Sequence, residues 1–322
     1  MKITQDFVLF RAPNESHFKL WNLGEKEEET YFVFHSFDNK ITHRLYKKDE
    51  ASLSYDELSK VEFDLNLKSI DQSVKEQSHD EYIERCNYFI EALKNNELNK
   101  VIFSRIKYAD FNEDFGEKLV HLAHKYPKAM VYLANFKGET WLGASPEKLV
   151  QIDNNELTTV ALASTKAVSD NRDWTEKEYK EHQLVVDYVY SYLKDFNPSK
   201  GEAKTISLGE IQHLKTKFSA QLIEQHDPER ICNLLHPTPA VCGMPKEKAH
   251  QFILENEGYD RSFYTGYFGV ISKGYTEIYV NLRCAQVYTN KLAAYVGGGL
   301  LAESEAEKEW QETEWKSKAL LS

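Results

Sequence analysis

The first 75 residues carry short segments of strand character, Phe7–Phe10 and Tyr31–Phe34 among them, separated by polar loops. Lys47 to Gln77 is charged and weakly patterned, and reads as a linker or a variable insertion. From Ser78 the pattern sharpens. Ser78 with Glu81 forms a capping-box signature, and Ile83, Cys86, Ile90 and Leu93 then recur at helical spacing. A strand is expected at Val101–Lys107 and a helix at about Glu113–Lys125. Strands follow at Met130–Phe136, Glu139–Ala144 and Glu156–Thr165, and a long helix from near Thr175 to about Tyr192. Pro245 suits the first position of a helix reaching Glu255. Three strands, Tyr264–Ser272, Glu277–Val287 and Lys291–Leu301, precede a last helix capped by Ser304 and Glu307. Runs of strands with intervening helices, without a βαβ rhythm, predict an α+β fold with antiparallel sheets.

At 322 residues, 41% hydrophobic and 28% charged, the chain has the make-up of a globular protein with a sizeable core of its own. Its net charge of −11 argues against a nucleic-acid surface, which needs clustered Lys and Arg. A small anionic substrate stays compatible, because a pocket can be locally positive or hold a divalent cation. Cys86, Cys232, Cys242 and Cys284 show no C-x-x-C spacing. Met1 to Pro13 has no long apolar run or cleavage signature, and no stretch is apolar for long enough to span a bilayer. The expectation is a reduced, cytoplasmic protein without a membrane partner.

Four glutamates stand out by spacing. Glu178 and Glu181 lie three apart on one predicted helix, and Glu309 and Glu312 three apart on another. Two such helices can hold one hard cation, and magnesium suits carboxylates that leave room for water. The plainer reading is that Glu178 completes a cap with Thr175, and that Glu309 and Glu312 belong to a solvated face. Gly297-Gly298-Gly299 either brings a ligand close to the backbone or makes a bulge. Arg283, inside a strand-like run, either grips a carboxylate or faces solvent. Lys100 and Glu147, taken singly, are a surface lysine and a loop acid. His236, before two prolines, is as well suited to a helix C-cap as to chemistry.

Together these segments resemble the chorismate-utilising enzymes. The matching stretches are Lys100–Arg105, Gly143–Glu147, Ala161–Thr165, Glu181–Asp187, Leu235–Val241, Tyr259–Gly266, Ile278–Ala285, Gly297–Gly299, and Glu309–Thr313 with Lys316. They occur in the family's order and cover about residues 78–322, the catalytic core; residues 1–77 form a short, divergent N-terminal part. The resemblance implies one domain over 1–322, with two antiparallel sheets packed together, helices outside, and a site in the cleft at the sheets' ends.

The resemblance also implies the chemistry. Lys100 stands where water-adding members carry a lysine base and ammonia-using members a glutamine. Ala163 stands where aminodeoxychorismate synthases carry a nucleophilic lysine. The Leu235–Val241 stretch is most similar to isochorismate synthases of menaquinone and siderophore pathways. The expected activity is magnesium-dependent addition of water at C2 of chorismate with loss of the C4 hydroxyl. Salicylate synthase, or a non-catalytic chorismate-binding protein, is the alternative. Lys100 is then the base and Glu147 the acid. Glu181 and Glu312 hold Mg2+ directly, Glu178 and Glu309 through water. Ser164, Thr165, His236, Tyr264, Arg283, Gly299 and Lys316 line the substrate, and no glutamine amidotransferase partner is expected. Two departures from the family's pattern are Ser164, where Gly is common, and Gly298, where Ala is usual.

Overall fold

A computed structural model of the chain describes residues 1–26, 29–70, 76–95, 98–208, 211–222 and 226–321, without the side chains of residues 165, 208 and 211. The elements that position the site are four N-terminal strands, β1 (Phe7–Arg11), β2 (His17–Leu23), β3 (Tyr31–His35) and β4 (Thr42–Ser54). Helix α1 (His79–Lys94), β5 (Lys100–Asp110) and α2 (Phe115–Lys125) follow, then β6 (Met130–Phe136), β7 (Glu139–Ser145), β8 (Lys148–Asp153) and β9 (Glu156–Ala167). Next come α3 (Glu176–Leu193), β10 (Lys204–Leu208), β11 (Ile211–Gln221), α4 (Pro228–Leu235) and α5 (Lys246–Asn256). The chain closes with β12 (Tyr267–Ser272), β13 (Tyr275–Val280), β14 (Cys284–Tyr288), β15 (Lys291–Leu300) and α6 (Ala306–Leu321).

These strands pair antiparallel in two sheets. One runs β5-β15-β14-β7-β6-β1-β2-β4. The other runs β4-β3-β12-β13-β8-β9-β11-β10. β4 belongs to both. Thr42–Tyr46 pairs with β3, and Lys47–Ser54 pairs with β2 after a register shift beside Leu23. A strand that switches sheets at such an irregularity makes a corner. The expected linker from Lys47 therefore begins as half of a strand, followed by one helical turn at Tyr55–Leu58 that Ser54 caps. Its charges obscured it: Lys48, Asp49 and Glu50 are exposed on an edge strand, where charge deters pairing with other chains.

Aromatic side chains fill the space between the sheets. Phe10, Phe32, Phe34, Tyr132, Phe136, Trp141 and Phe268 are buried there. Phe34 alone meets Phe136, Tyr132 and Phe268 with ring centres 5.0, 5.5 and 5.8 Å away. Helices cover the outer faces. Val185, Val186 and Val189 of α3 and Ile231 and Leu235 of α4 pack on Leu157, Ala161 and Phe218. Leu119 and Leu122 of α2 and Leu320 of α6 pack on Val131, Leu133 and Leu142. α1 and α5 bury Tyr82, Cys86, Phe89 and Ile253 against Val101 and Phe103 of β5. Among the described residues no helix is long and apolar enough to cross a membrane.

Several boundaries differ from the sequence reading. The strand expected over Glu277–Val287 breaks at Asn281-Leu282-Arg283, where Arg283 has φ +47°. Asn281 is fully buried; its side chain accepts from Tyr132 Oη at 2.8 Å and donates to the Phe263 carbonyl at 3.0 Å. Such a pinned amide takes the backbone out of the ladder. The strand expected from Tyr264 begins at Tyr267, because Arg261 to Gly266 forms turns. Pro245 is the residue before α5, not its first. The last helix starts at Ala306, and Ser304 Oγ instead accepts the Leu301 N–H at 3.1 Å. β8, β10 and β11 lie beyond the strands that the sequence reading expects. β11 alternates buried Leu214, Thr216, Phe218 and Ala220 with more exposed Lys215, Lys217 and Ser219, but Thr216 on the buried side weakens the apolar pattern.

The inter-sheet core yields a direct test. Phe34→Ala should lower unfolding free energy by about 3–5 kcal/mol in urea titration. A loss under about 1 kcal/mol would mean that the two sheets do not depend on this cluster.

Candidate active site

The site gathers at one end of the cleft, where β5 starts, β15 ends and the β7–β8 corner turns. Lys100 opens β5, and in the ladder Val101 and Ile102 lie opposite Leu300 and Gly299 of β15. A Cβ built on Gly299 would meet Lys100 Cε at 3.1 Å and Nζ at 3.7 Å. Gly299 thus leaves the lysine's end room to lie along the β15 backbone. Glu147 sits in the corner Ser145-Pro146-Glu147. Its carbonyl accepts the Val280 N–H at 2.9 Å, and Ser145 Oγ donates to the Val280 carbonyl at 2.5 Å. These bonds tie the corner to the end of β13.

Two ionisable groups there are displaced toward their uncharged forms. Burial holds the Lys100 amine below the usual lysine value, against the opposing pull of the Glu181 and Glu147 charges. Burial pushes the Glu147 carboxyl up to about 7, and the Lys100 charge only partly reverses this. Lys100 therefore lies within electrostatic reach of both Glu147 and Glu181.

The candidate cation carboxylates divide. Glu178 completes a capping box with Thr175 and takes Arg172 bidentately at 2.6 and 2.7 Å. Those bonds pull its pKa down to about 2, Arg172 first. Its two oxygens serve the cap and the arginine. Glu181, one turn on, faces the site, with Oε2 3.4 Å from Ser164 Oγ. Glu309 and Glu312 both turn toward Gly298: a Cβ built there would meet Glu309 Oε2 at 2.9 Å and Glu312 Oε1 at 3.6 Å. An alanine at 298 would press on Glu309; glycine leaves that space open. Burial raises the Glu309 pKa, the Ser304 hydroxyl opposes this, and the Glu312 charge adds to it. Glu309 Oε2 is buried without a hydrogen-bond partner among the described residues. An orphaned anionic oxygen beside a second carboxylate fits a hard cation. Among the described residues no three acidic, histidine or cysteine side chains stand close enough to enclose one.

Lys316 ion-pairs with Glu312 at 2.7 Å and donates to the Gly297 carbonyl at 2.8 Å. Tyr264 is buried, and its hydroxyl lies 3.1 Å from a Cβ built on Gly297. Arg283 sits apart from these contacts, with its guanidinium 4.8 Å from the centre of the Tyr126 ring. Burial lowers its pKa and no carboxylate among the described residues offsets this, which leaves a cation short of an anion. His236 is the C-cap of α4 and almost wholly buried. Its Nδ1 lies 3.1 Å from Asn39 Oδ1 and its Nε2 3.0 Å from the Thr265 carbonyl. Burial holds the ring neutral, so it has one N–H to give, and of these two oxygens only one can accept it. The Thr165 side chain lies outside the described residues; its backbone continues β9 opposite His213.

Ser164 explains one departure. It interrupts the β9–β11 register and has φ +58°. That left-handed conformation is why glycine suits the position. The serine hydroxyl donates to the Glu178 carbonyl at 2.7 Å and so ties the bulge to the first turns of α3. Sequence reasoning does not single out Arg105 or Tyr82, which hold α6 beneath the acidic pair; the one signal is a charged residue inside the apolar run Val101–Ile106.

Residues 14–322 match a family model described as chorismate binding enzyme. The chain is 29% identical over 309 residues to isochorismate synthase MenF of Escherichia coli, covering 87% of this chain and 71% of that one. It is 33% identical over 251 residues to isochorismate synthase DhbC of Bacillus subtilis, covering 70% and 62%. It is 34% identical over 196 residues to isochorismate synthase MenF of Haemophilus influenzae, covering 56% and only 45% of that relative's length. The chain thus spans from under half to about seven tenths of these relatives. Among solved structures, a putative 2,3-dihydroxybenzoate-specific isochorismate synthase from Bacillus anthracis superposes with TM-score 0.80 at 24% identity, covering 98% of this chain and 96% of that one. At that identity the likeness shows the fold, an α+β arrangement of packed antiparallel sheets and helices.

Two outcomes follow from this geometry. Ser164→Gly and Ser164→Ala both lose the hydroxyl's bond, and only glycine relieves the left-handed backbone. Ser164→Ala should therefore be less stable than Ser164→Gly by about 1–2 kcal/mol in urea titration. Equal stability would mean that position 164 carries no strain. Glu147 binds its proton more tightly folded than unfolded, so it favours folding less as pH rises from below 4.5 through about 7. Glu147→Gln should therefore gain stability relative to the unaltered protein across that window. A pH-independent difference would show that Glu147 is well solvated.

Proposed function

The chain belongs to the chorismate-binding enzyme family, and from that premise we propose that it is an isochorismate synthase, an isomerase that exchanges water on chorismate. What supports this reading is the placement of Lys100 at the start of β5 and Glu147 in the β7–β8 corner, half-buried, within electrostatic reach of each other and each pushed toward its uncharged form. A lysine where ammonia-using relatives have glutamine supports water as the nucleophile, and Ala163 offers no amine for a covalent intermediate.

The reaction needs one base, one acid and neutralisation of a dianion. Neutral Lys100 takes a proton from a water that attacks ring C2. The ring double bond shifts, the C4–O bond breaks, and Glu147 gives its proton to the departing hydroxyl. One water enters and one leaves, so substrate and product are isomers. The returning proton must pass from Lys100 to Glu147 before the next turnover. Arg283, a half-buried cation without a carboxylate partner among the described residues, is suited to the enolpyruvyl carboxylate. Mg2+ bound by Glu181 and Glu312, with Glu309 behind a water, would supply positive charge for the ring carboxylate.

Chorismate incubated with the protein and magnesium should yield isochorismate on chromatography. Salicylate with pyruvate would instead identify the eliminating relative, and unchanged chorismate a binding protein. Lys100→Ala and Glu147→Gln should each slow the reaction about 100-fold to 10,000-fold in both directions. Near-normal rates for either variant would remove its residue from the proton steps. The reactive form, neutral Lys100 with protonated Glu147, holds the same single proton as the ion pair of these residues. The pH–rate profile should therefore be bell-shaped, with limbs that belong to the pair.

Glu181→Gln and Glu312→Gln should abolish activity, and chelation should do the same. Full activity after chelation would contradict the cation assignment. Arg283→Ala should weaken chorismate binding by about 2–5 kcal/mol, read from the Michaelis constant. Unchanged kinetics would put Arg283 outside the pocket.

A further inference from the structure

Behind the acidic pair on α6 lies a buried polar cluster that the proton chemistry does not use. Tyr82 of α1 and Arg105 of β5 have no solvent exposure. Arg105 donates through Nε to Thr313 Oγ1 at 2.9 Å and through Nη2 to Glu314, and Lys107 reaches the other Glu314 oxygen at 2.5 Å. The guanidinium also lies over the Trp310 ring, 3.8 Å from its centre. Trp310, Thr313 and Glu314 belong to one turn of α6. Glu309 immediately precedes that turn, and Glu312 lies within it. One side chain thus fixes the rotation of the helix that presents both carboxylates to Gly298.

Three polar atoms around this clamp are buried with no hydrogen-bond partner among the described residues: Arg105 Nη1, Tyr82 Oη and Glu309 Oε2. The Tyr82 ring stands 5.2 Å from Trp310 and 5.8 Å from the Arg105 guanidinium carbon. Its phenol is held well above its usual value by burial first, with the charges of Glu309 and Glu312 adding to this. The Cys86 thiol is a weak polar neighbour. The Tyr82 phenol lies within reach of the Glu309 charge, and its hydroxyl and Glu309 Oε2, a donor and an acceptor each missing a partner, are a pair that a single bridging water satisfies. Orphaned buried polar groups cost about 1–3 kcal/mol each, so their clustering at one place calls for a cause.

We propose that Arg105 and Tyr82 are the positioning residues of Glu309, Arg105 by clamping α6 and Tyr82 by donating, through one water, to Glu309 Oε2. The inference rests on the reading of Glu309 and Glu312 as cation carboxylates. A carboxylate oxygen has more than one lone pair. The buried hydroxyl holds one side of Oε2 and the clamp holds its helix, which together fix the carboxylate's orientation, and its remaining lone pairs serve the cation's hydration shell. Outer partners of this kind commonly change metal affinity 10-fold to 100-fold.

The test is Mn2+ binding by electron paramagnetic resonance on the full chain, with melting temperature measured in the absence of metal. Tyr82→Phe deletes only the hydroxyl. It should weaken Mn2+ binding about tenfold while the metal-free melting temperature stays level or rises. Arg105→Lys keeps the charge but loses the fork, and should weaken Mn2+ binding at least as much. Unchanged Mn2+ affinity in Tyr82→Phe overturns the proposal, whether or not the melting temperature falls. Glu312→Gln separates the two ideas. If it loses Mn2+ while Tyr82→Phe binds normally, only the positioning role is wrong. If Glu312→Gln binds Mn2+ like the unaltered protein, the cation reading fails and takes this inference with it.

Discussion

An amine and a carboxylic acid share one poorly hydrated corner, and burial pushes each toward its uncharged form. In water both Lys100 and Glu147 would carry their charges at neutral pH. The desolvation that displaces them must be supplied by the fold. It comes from the close approach of β15 to Lys100, which Gly299 permits, and from the β7–β8 corner bonded to the end of β13. The aromatic layer between the sheets keeps these strand ends at a fixed spacing. The displacement of both groups is therefore a property of sheet packing as much as of two residues.

Around this corner the remaining charge is distributed by element. α3 brings Glu181 to the Lys100 side, while Glu178 is absorbed in the cap that starts the same helix. α6 brings Glu309 and Glu312 over Gly298 of β15, with Lys316 balancing Glu312. The two glutamate pairs share a spacing of three and differ in fate. Glu178 of the first pair lies in the first turn of its helix, where a backbone N–H and a hydroxyl compete for the carboxylate. The second pair sits where the glycines of β15 let the helix approach the strand.

Much of the catalytic core was legible in sequence because its signals are local. The capping boxes at Ser78 and Thr175 and the strand Met130–Phe136 depend on residues within a turn or a ladder step. β4 was not legible, since a corner strand with an exposed charged edge has no apolar alternation to show. Nor was the break at Asn281, which depends on Tyr132, 149 residues away in sequence. The site divides in the same way. Motif order pointed to Lys100, Glu147 and Glu181 together. The backbone reason for a small residue at 164, the burial of both His236 nitrogens, and the Arg105 clamp are contacts between distant segments. His236 illustrates the point: the local pattern allowed a cap or a catalytic group, and its contacts with Asn39 and Thr265 come from segments far away in sequence.

The central claim is that solvent water becomes the C2 hydroxyl while the C4 hydroxyl leaves. The most direct measurement is the mass of product formed from unlabelled chorismate in water enriched in oxygen-18 with magnesium present. The account predicts isochorismate carrying one oxygen-18 atom, placed at C2 by fragmentation, and none of it without Lys100. Isochorismate formed without label would mean internal transfer of the hydroxyl and would contradict the assignment of Lys100 as the base that activates water.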